Sequence, residues 1–328
     1  MPPLVSIIVP CYNGSRYIPG LVESLKPVLL KYPGHYEIIF VDDGSKDNST
    51  ELMRQLMPEA IIVRQENRGL SAARNAGVSR AQGEFLQLLD ADDTIELDKL
   101  EVQASAACAE AADVVYSDWR LLTMDRGKIV RTETFQPAEA PCEMVEALLS
   151  GWYVPPVGYL FRRSAYLELG GCDENIKVWE DFDLFLRFAM AGNRHVYAPG
   201  IFSNYYRYLE VQSLARRDSA ARALSRERIL RNTIDVLGKT GGLTEPRRKA
   251  AARAFFGVLR TAGTSDISSL RRFAWTIQEL DSGFLFCGTR AYRMTARLLG
   301  IVNAERLAVL LRRFKSGRPT TVASKGPE

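Results

Sequence analysis

Phe85-Leu86-Gln87-Leu88-Leu89 runs without interruption into Asp90-Ala91-Asp92-Asp93, an apolar segment that empties into an acidic turn. A run of this length with turn formers at its carboxyl side reads as a buried strand. Upstream the same pattern recurs three times. Val5-Ser6-Ile7-Ile8-Val9 stops at Pro10-Cys11-Tyr12-Asn13, Glu37-Ile38-Ile39-Phe40-Val41 stops at Asp42-Asp43-Gly44-Ser45, and Ile61-Ile62-Val63 leads to Asn67-Arg68-Gly69. Helical patterns fill the gaps at Tyr17 to Leu30, Ser49 to Leu56 and Ser71 to Ser79. Strands alternating with helices define an α/β domain with a largely parallel sheet. The carboxyl ends of such strands form one crevice where ligands bind, so four polar clusters are expected around a single site.

Downstream, Leu97 to Ala109 reads as a helix, Val114 to Tyr116 as extended and Arg120 to Val130 as a hairpin. Trp152-Tyr153-Val154-Pro155-Pro156 reads as a loop and Gly158 to Phe161 as a strand. Phe182 to Met190 is helical, and Glu180-Asp181 at its start are acids suited to a helix N-terminus. From about residue 215 helices dominate, which sets expected domains of 1–214 and 215–328. Gly241-Gly242 and the Ser316 to Glu328 tail read as loop-like.

The 328 residues are 46% hydrophobic and 25% charged, which excludes collagen-like, disulfide-stapled and fully disordered classes. Cys11, Cys108, Cys142, Cys172 and Cys287 are odd in number and lack C-x-x-C spacing, which argues for reduced thiols and against zinc. Met1-Pro2-Pro3-Leu4 carries no basic n-region, so a cytoplasmic location is expected. The net charge of +4 is unevenly spread. Residues 1 to 214 hold 20 basic against 30 acidic side chains, and residues 215 to 328 hold 23 against 9, or net −10 and net +14. An acidic front suits a metal, and a basic tail suits an anionic surface such as a membrane leaflet. The tail lacks aromatic-interleaved basic motifs, so no nucleic-acid partner is expected.

The acidic turn carries the strongest chemical signal. Hard cations such as Mn²⁺ or Mg²⁺ take oxygen ligands, often one or two carboxylates plus substrate phosphates. Residues two apart in an extended segment point the same way, so Asp90 and Asp92 can face one ligand, although an acidic turn also caps a helix. Asp42 and Asp43 at a strand end suit a base edge or ribose hydroxyls, yet Asp-Gly turns form without any ligand. Tyr12 suits a nucleobase face, and Arg74 suits a diphosphate or a base carbonyl. Asp181 suits the base that an acceptor hydroxyl needs during attack, or a plain helix cap.

Taken in order, P-x-Y-N, V-D-D-G-S, N-x-G-x-x-x-A-R-N, D-A-D-D and a downstream W-E-D resemble the family 2 glycosyltransferases of the GT-A fold, over roughly residues 4 to 214. The resemblance implies a Rossmann-like, mostly parallel sheet flanked by helices, with a helical C-terminal extension. It implies a nucleotide diphosphate sugar donor held through Pro10, Tyr12, Asn13, Asp42, Asp43, Arg74, Asp90, Ala91 and Arg207, with Mn²⁺ or Mg²⁺ on Asp92. Asp181 would act as base with Glu180 beside it, and a glycan or lipid-linked acceptor would receive the sugar with inversion. A role in cell-surface polysaccharide or glycolipid synthesis follows as the expectation, with a mild preference for UDP-sugars because Asp42 suits the uracil N–H.

Two departures stand out. Tyr206-Arg207-Tyr208 is followed by Leu209-Glu210-Val211-Gln212-Ser213 with no histidine, and Gln278 is not followed by the Arg-Trp of processive relatives, so single-sugar transfer is expected. His35 and His195 are read as structural or solvated. Met294, Leu298, Ile301, Leu307, Leu310, Leu311 and Phe314 fall at helical spacing among Arg293, Arg297, Arg306, Arg312 and Arg313, an amphipathic helix that packs on protein or lies on the inner face of an anionic membrane. An inactive nucleotide-sugar-binding scaffold and a sugar-nucleotide pyrophosphorylase are the alternatives. The second needs a glycine-rich basic loop after the first strand, which Pro10 to Arg16 does not provide.

Overall fold

The computed structural model describes residues 3–136, 143–210, 219–261, 267–284 and 290–315. Cys142, Cys287, the segment Val211-Gln212-Ser213 and the Ser316 to Glu328 tail lie outside them. The chain divides into two compact units, Met1–Arg217 and Asp218–Glu328.

In the first unit β1 (Val5–Cys11) lies between β2 (Tyr36–Asp42) and β4 (Phe85–Leu88) and is parallel to both, with β3 (Ile61–Arg64) parallel to β2 on the outside. Every residue of β1 and β4 is buried, as a strand covered on both faces requires, and this explains the unbroken apolar runs. The crossovers are α1 (Ile18–Lys31), α2 (Ser49–Leu56) and α3 (Leu70–Arg80). Helix α3 approaches β1 through Gly77, where an added Cβ would lie 2.4 Å from Ile8 Cγ2.

Pro10 corrects one expectation. It is a buried member of β1 and does not end the strand, which runs on to Cys11. The β4 partners stop at Ile8, so Pro10 pairs only with Val41 on the β2 side, and its missing N–H is tolerated there.

The rest of the unit comprises β5 (Thr94–Ile95), α4 (Lys99–Ala109), β6 (Val114–Asp125), β7 (Lys128–Phe135), α5 (Met144–Leu149), a 3₁₀ turn at Pro156–Gly158, β8 (Tyr159–Arg162), α6 (Arg163–Glu168), α7 (Glu180–Met190) and β9 (His195–Tyr208). The sheet order is β3-β2-β1-β4-β8-β6-β9-β5, with β7 on β6. Strand β8 is antiparallel to both β4 and β6, which returns β6 and its parallel partner β9 to the direction of β1. The carboxyl ends of β1, β2, β4, β6 and β9 therefore share one edge. The hairpin expected at Arg120 to Val130 is longer, running from β6 into β7 through Arg126 and Gly127, both at positive φ (47° and 76°).

The second unit is helical, with α8 (Ser219–Lys239), α9 (Glu245–Thr261), α10 (Ile267–Leu280) and α11 (Arg290–Lys315). Helix α9 packs on α8 and α10, burying Ala250, Phe255 and Val258 with Leu230 and Phe273. Arg231 and Arg272 converge on Glu227 at 2.9 and 3.1 Å. The continuous amphipathic helix expected from Met294 to Phe314 is broken at Gly300, whose φ of 77° is outside helical space. The side chains of Ile301, Leu310, Leu311, Arg312, Arg313 and Phe314 lie outside the described ones. Among the described residues no helix is long and apolar enough to cross a membrane.

Candidate active site

The loops after β1 and β2 are stitched together. Asn13 donates its N–H to Ser45 Oγ at 2.9 Å and accepts at Oδ1 from the Lys46 N–H at 2.8 Å, while Gly14 donates to Ser49 Oγ at 3.0 Å. Tyr12 stands at the rim with half of its surface exposed.

The two carboxylates expected to meet the base are turned inward instead. Asp42 is completely buried, accepting from the Ser45 N–H at 2.8 Å, the Thr50 hydroxyl at 2.7 Å and Arg64 Nε at 3.0 Å. Burial pushes its carboxyl up, but those donors outweigh it and hold Asp42 below the usual range. Asp43 accepts from the N–H groups of Arg68 and Gly69 at 2.9 and 2.8 Å and from Gln65 Nε2 at 2.7 Å. These bonds make both carboxylates brackets of the turn after β2.

Arg74 is buried, its side chain 1% exposed; Nη2 contacts Asp90 at 2.9 and 3.0 Å and Nη1 lies 3.4 Å from Glu180. A buried guanidinium on α3 thus joins the acidic turn after β4 to the start of α7. The loop before α7 is held in turn by Asn75, whose amide donates to the Cys172 carbonyl and accepts from the Cys172 N–H, both at 2.9 Å. Lys177 Nζ adds a bond to the Arg68 carbonyl at 2.9 Å.

Within the turn the four residues differ. Ala91 is buried and faces the position a Cβ of Gly14 would take, 3.9 Å away. Asp93 is buried and accepts from the Tyr206 N–H at 3.0 Å, which ties the turn to β9. Asp92 is half-buried and receives no hydrogen bond from another described residue. Burial and then the neighbouring Asp90 charge raise its carboxyl to about 6, opposed by Arg16. Among the described residues no group of three metal-ligating side chains occurs. A cation shared with substrate phosphates needs only one or two carboxylates, and Asp92, crowded by negative charge and lacking a donor, fits that demand.

At the start of α7, Asp181 accepts from the Tyr153 hydroxyl at 2.9 Å and the Phe182 N–H at 2.7 Å. Burial raises its pKa, with Tyr153 and Arg74 opposing. Glu180 is raised to about 7, first by burial and then by Asp181. Tyr205 on β9 is raised by burial and by the charges of Asp93, Asp92, Asp90 and Asp181, so the acidic turn and the α7 start face one space.

Arg207 is exposed near the end of β9 and makes no ion pair with these acids among the described residues. His35 and His195 sit at the amino ends of β2 and β9, opposite the acids. Tyr153, Arg16 and Tyr205 join the site without belonging to any of its motifs. Arg16 stacks on Tyr17 and Tyr208 at 4.4 and 5.7 Å, and nothing in its local sequence signals that contact.

A family model described as "Glycosyl transferase family 2" matches residues 6–170, and the chain belongs to that family. GlyG of Streptococcus pneumoniae, a glycosyltransferase, is 38% identical over 123 residues, covering 36% of this chain and 40% of that protein. A cholesterol galactosyltransferase of Borreliella burgdorferi is 28% identical over 73% of this chain and 68% of its own. The chain spans less than half the length of the first curated relatives it matches. The crystal structure of S. aureus TarS 1-349 superposes with a TM-score of 0.64 at 18% identity, covering 96% of this chain and 92% of that one, and the shared fold is GT-A.

Proposed function

We propose that this chain is a metal-dependent, inverting glycosyltransferase that moves a sugar from a nucleotide diphosphate to an acceptor hydroxyl. The Arg74 bridge carries the reading, because it draws the acidic turn and the α7 start together at the carboxyl edge of the sheet. Asp181 takes the acceptor proton as the acceptor oxygen attacks the anomeric carbon. The bond from that carbon to the phosphate oxygen breaks, its electron pair leaves with the nucleoside diphosphate, and configuration inverts. Tyr153 and the Phe182 N–H hold the Asp181 carboxylate in place, and burial that raises its proton affinity makes it the stronger base. Glu180 orients the acceptor or the base. Mn²⁺ or Mg²⁺ held by Asp92 would neutralise charge on the departing diphosphate. Tyr12 on the rim supplies a face for the nucleobase. Arg207 is available to the phosphates from the end of β9.

The donor we favour is a UDP-sugar. With Asp42 turned inward, the support comes from TarS, solved with UDP and with UDP-GlcNAc. The acceptor class is a glycan or lipid-linked glycan of cell-surface polysaccharide or glycolipid synthesis, in keeping with relatives such as a chondroitin synthase. Thermal unfolding with a panel of nucleotide sugars and Mn²⁺ tests the reading. A UDP-sugar should raise Tm, and the gain should vanish with EDTA. A flat response across the panel rejects it.

Peripheral contact with an anionic membrane is a separate proposal, resting on exposed Met294, Leu298 and Leu307 beside exposed Arg293, Arg297 and Arg306. Flotation with anionic liposomes at low salt tests it, and absence of binding rejects it.

A further inference from the structure

We propose that Trp119, Phe135, Tyr153 and Tyr205 form an acceptor subsite that seats a sugar ring beside Asp181, with the Trp119 indole N–H as its hydrogen-bond donor. The inference rests on the transferase reading and names the acceptor chemistry of that site.

Strand β6 leaves its β8 partner after Tyr116 and then runs between β7 and β9, so that Trp119 lies opposite Phe135 on one side and Ser203 on the other. Its ring stacks on Phe135 with centroids 4.3 Å apart and planes 10° apart. It meets Tyr153 edge-on at 6.3 Å and Tyr205 edge-on at 6.2 Å. Tyr153 is the residue that donates to Asp181, and Tyr205 lies in the field of Asp90, Asp92, Asp93 and Asp181. The four rings therefore make a continuous wall from solvent, where Phe135 is 38% exposed, to the base.

One polar atom in this wall is unmatched. Trp119 is 6% exposed, and its Nε1 has no hydrogen-bond partner among the described residues. Native proteins seldom leave a buried donor unsatisfied without a use for it. A sugar ring answers both features, since its C–H face packs on aromatic rings and its hydroxyl oxygens accept hydrogen bonds. An alkyl alcohol would cover the rings and leave the N–H unpaired. Phe135 is the last residue of β7 and the exposed end of this row of rings.

The test is nucleoside diphosphate release from the donor with Mn²⁺, measured with free mono- and disaccharides and with decanol as a sugar-free alcohol. At least one saccharide should accelerate release above the rate in water, and decanol should not. Trp119→Phe should raise the saccharide KM at least tenfold more than the donor KM. Phe135→Leu, at a half-exposed position that tolerates change, should raise it several-fold, and exposed Trp275→Phe serves as the control. A saccharide KM within twofold of wild type in both wall variants overturns the subsite, as does acceleration by decanol alone. Failure of the wild type to release diphosphate from any donor overturns the transferase reading itself, and the subsite with it.

Discussion

Arg74 donates from Nη2 to both carboxylate oxygens of Asp90, at 2.9 and 3.0 Å, from a side chain that is 1% exposed. Removing the guanidinium leaves Asp90 and Glu180 without the cation that bridges them, and Asp181 without a charge that opposes its raised pKa. Breaking a buried ion pair from one side costs about 3–5 kcal/mol. Arg74→Ala is expected to lower the urea midpoint accordingly, and Arg74→Lys to restore little, because a lysine cannot span two carboxylates with a planar fork. A loss below about 1 kcal/mol would show that the bridge contributes little to stability.

Glu180 gives a pH signature. Its carboxyl is raised from 4.5 to about 7, so between those values the folded chain binds more protons than the unfolded one. Stability contributed by this group is present below pH 4.5 and is lost as pH rises through 7. The loss is on the order of 3 kcal/mol. Glu180→Gln should flatten the fall in Tm across that window, and parallel curves for the two proteins would refute the assignment.

Asp92 separates binding from folding. Asp92→Asn removes a carboxylate that Asp90 repels, so Tm at pH 8 without ligand should stay level or rise. The same variant should lose the Mn²⁺-dependent heat of UDP-sugar binding by calorimetry. Unchanged metal-dependent heat would move the cation elsewhere.

Packing of α3 on β1 is testable through Gly77. A Cβ there would meet Ile8 Cγ2 at 2.4 Å. Overpacking of this kind costs about 1–3 kcal/mol. Gly77→Ala should therefore destabilise the chain in chemical unfolding even though alanine favours helices, and a stabilised variant would contradict the close approach.

Buried strands are legible in the sequence, whereas the direction a side chain faces is not. The runs at Val5, Glu37, Ile61 and Phe85 announce their strands because burial on both faces leaves an unbroken apolar signal. Strand β9 escapes notice, since Asn204, Tyr206 and Arg207 interrupt any simple alternation and its pairing with β6 is set at long range. The motif residues cluster as their order suggests, but the direction each side chain faces is a matter of donors supplied by other segments. Asp42 and Asp43 turn toward the N–H groups of Ser45, Arg68 and Gly69, and Arg74 turns toward Glu180, 106 residues away. Tyr153 carries no local mark of its bond to Asp181, because only the fold brings that loop to the start of α7.

The role of Asp181 as base is decided by the steady-state transfer rate of Asp181→Asn beside wild type, with donor affinity measured in parallel. Loss of a general base lowers turnover by about 10²–10⁴-fold. Asp181→Asn is expected to show a fall of that size with the UDP-sugar Kd changed less than threefold; near-wild-type turnover would rule Asp181 out as the base.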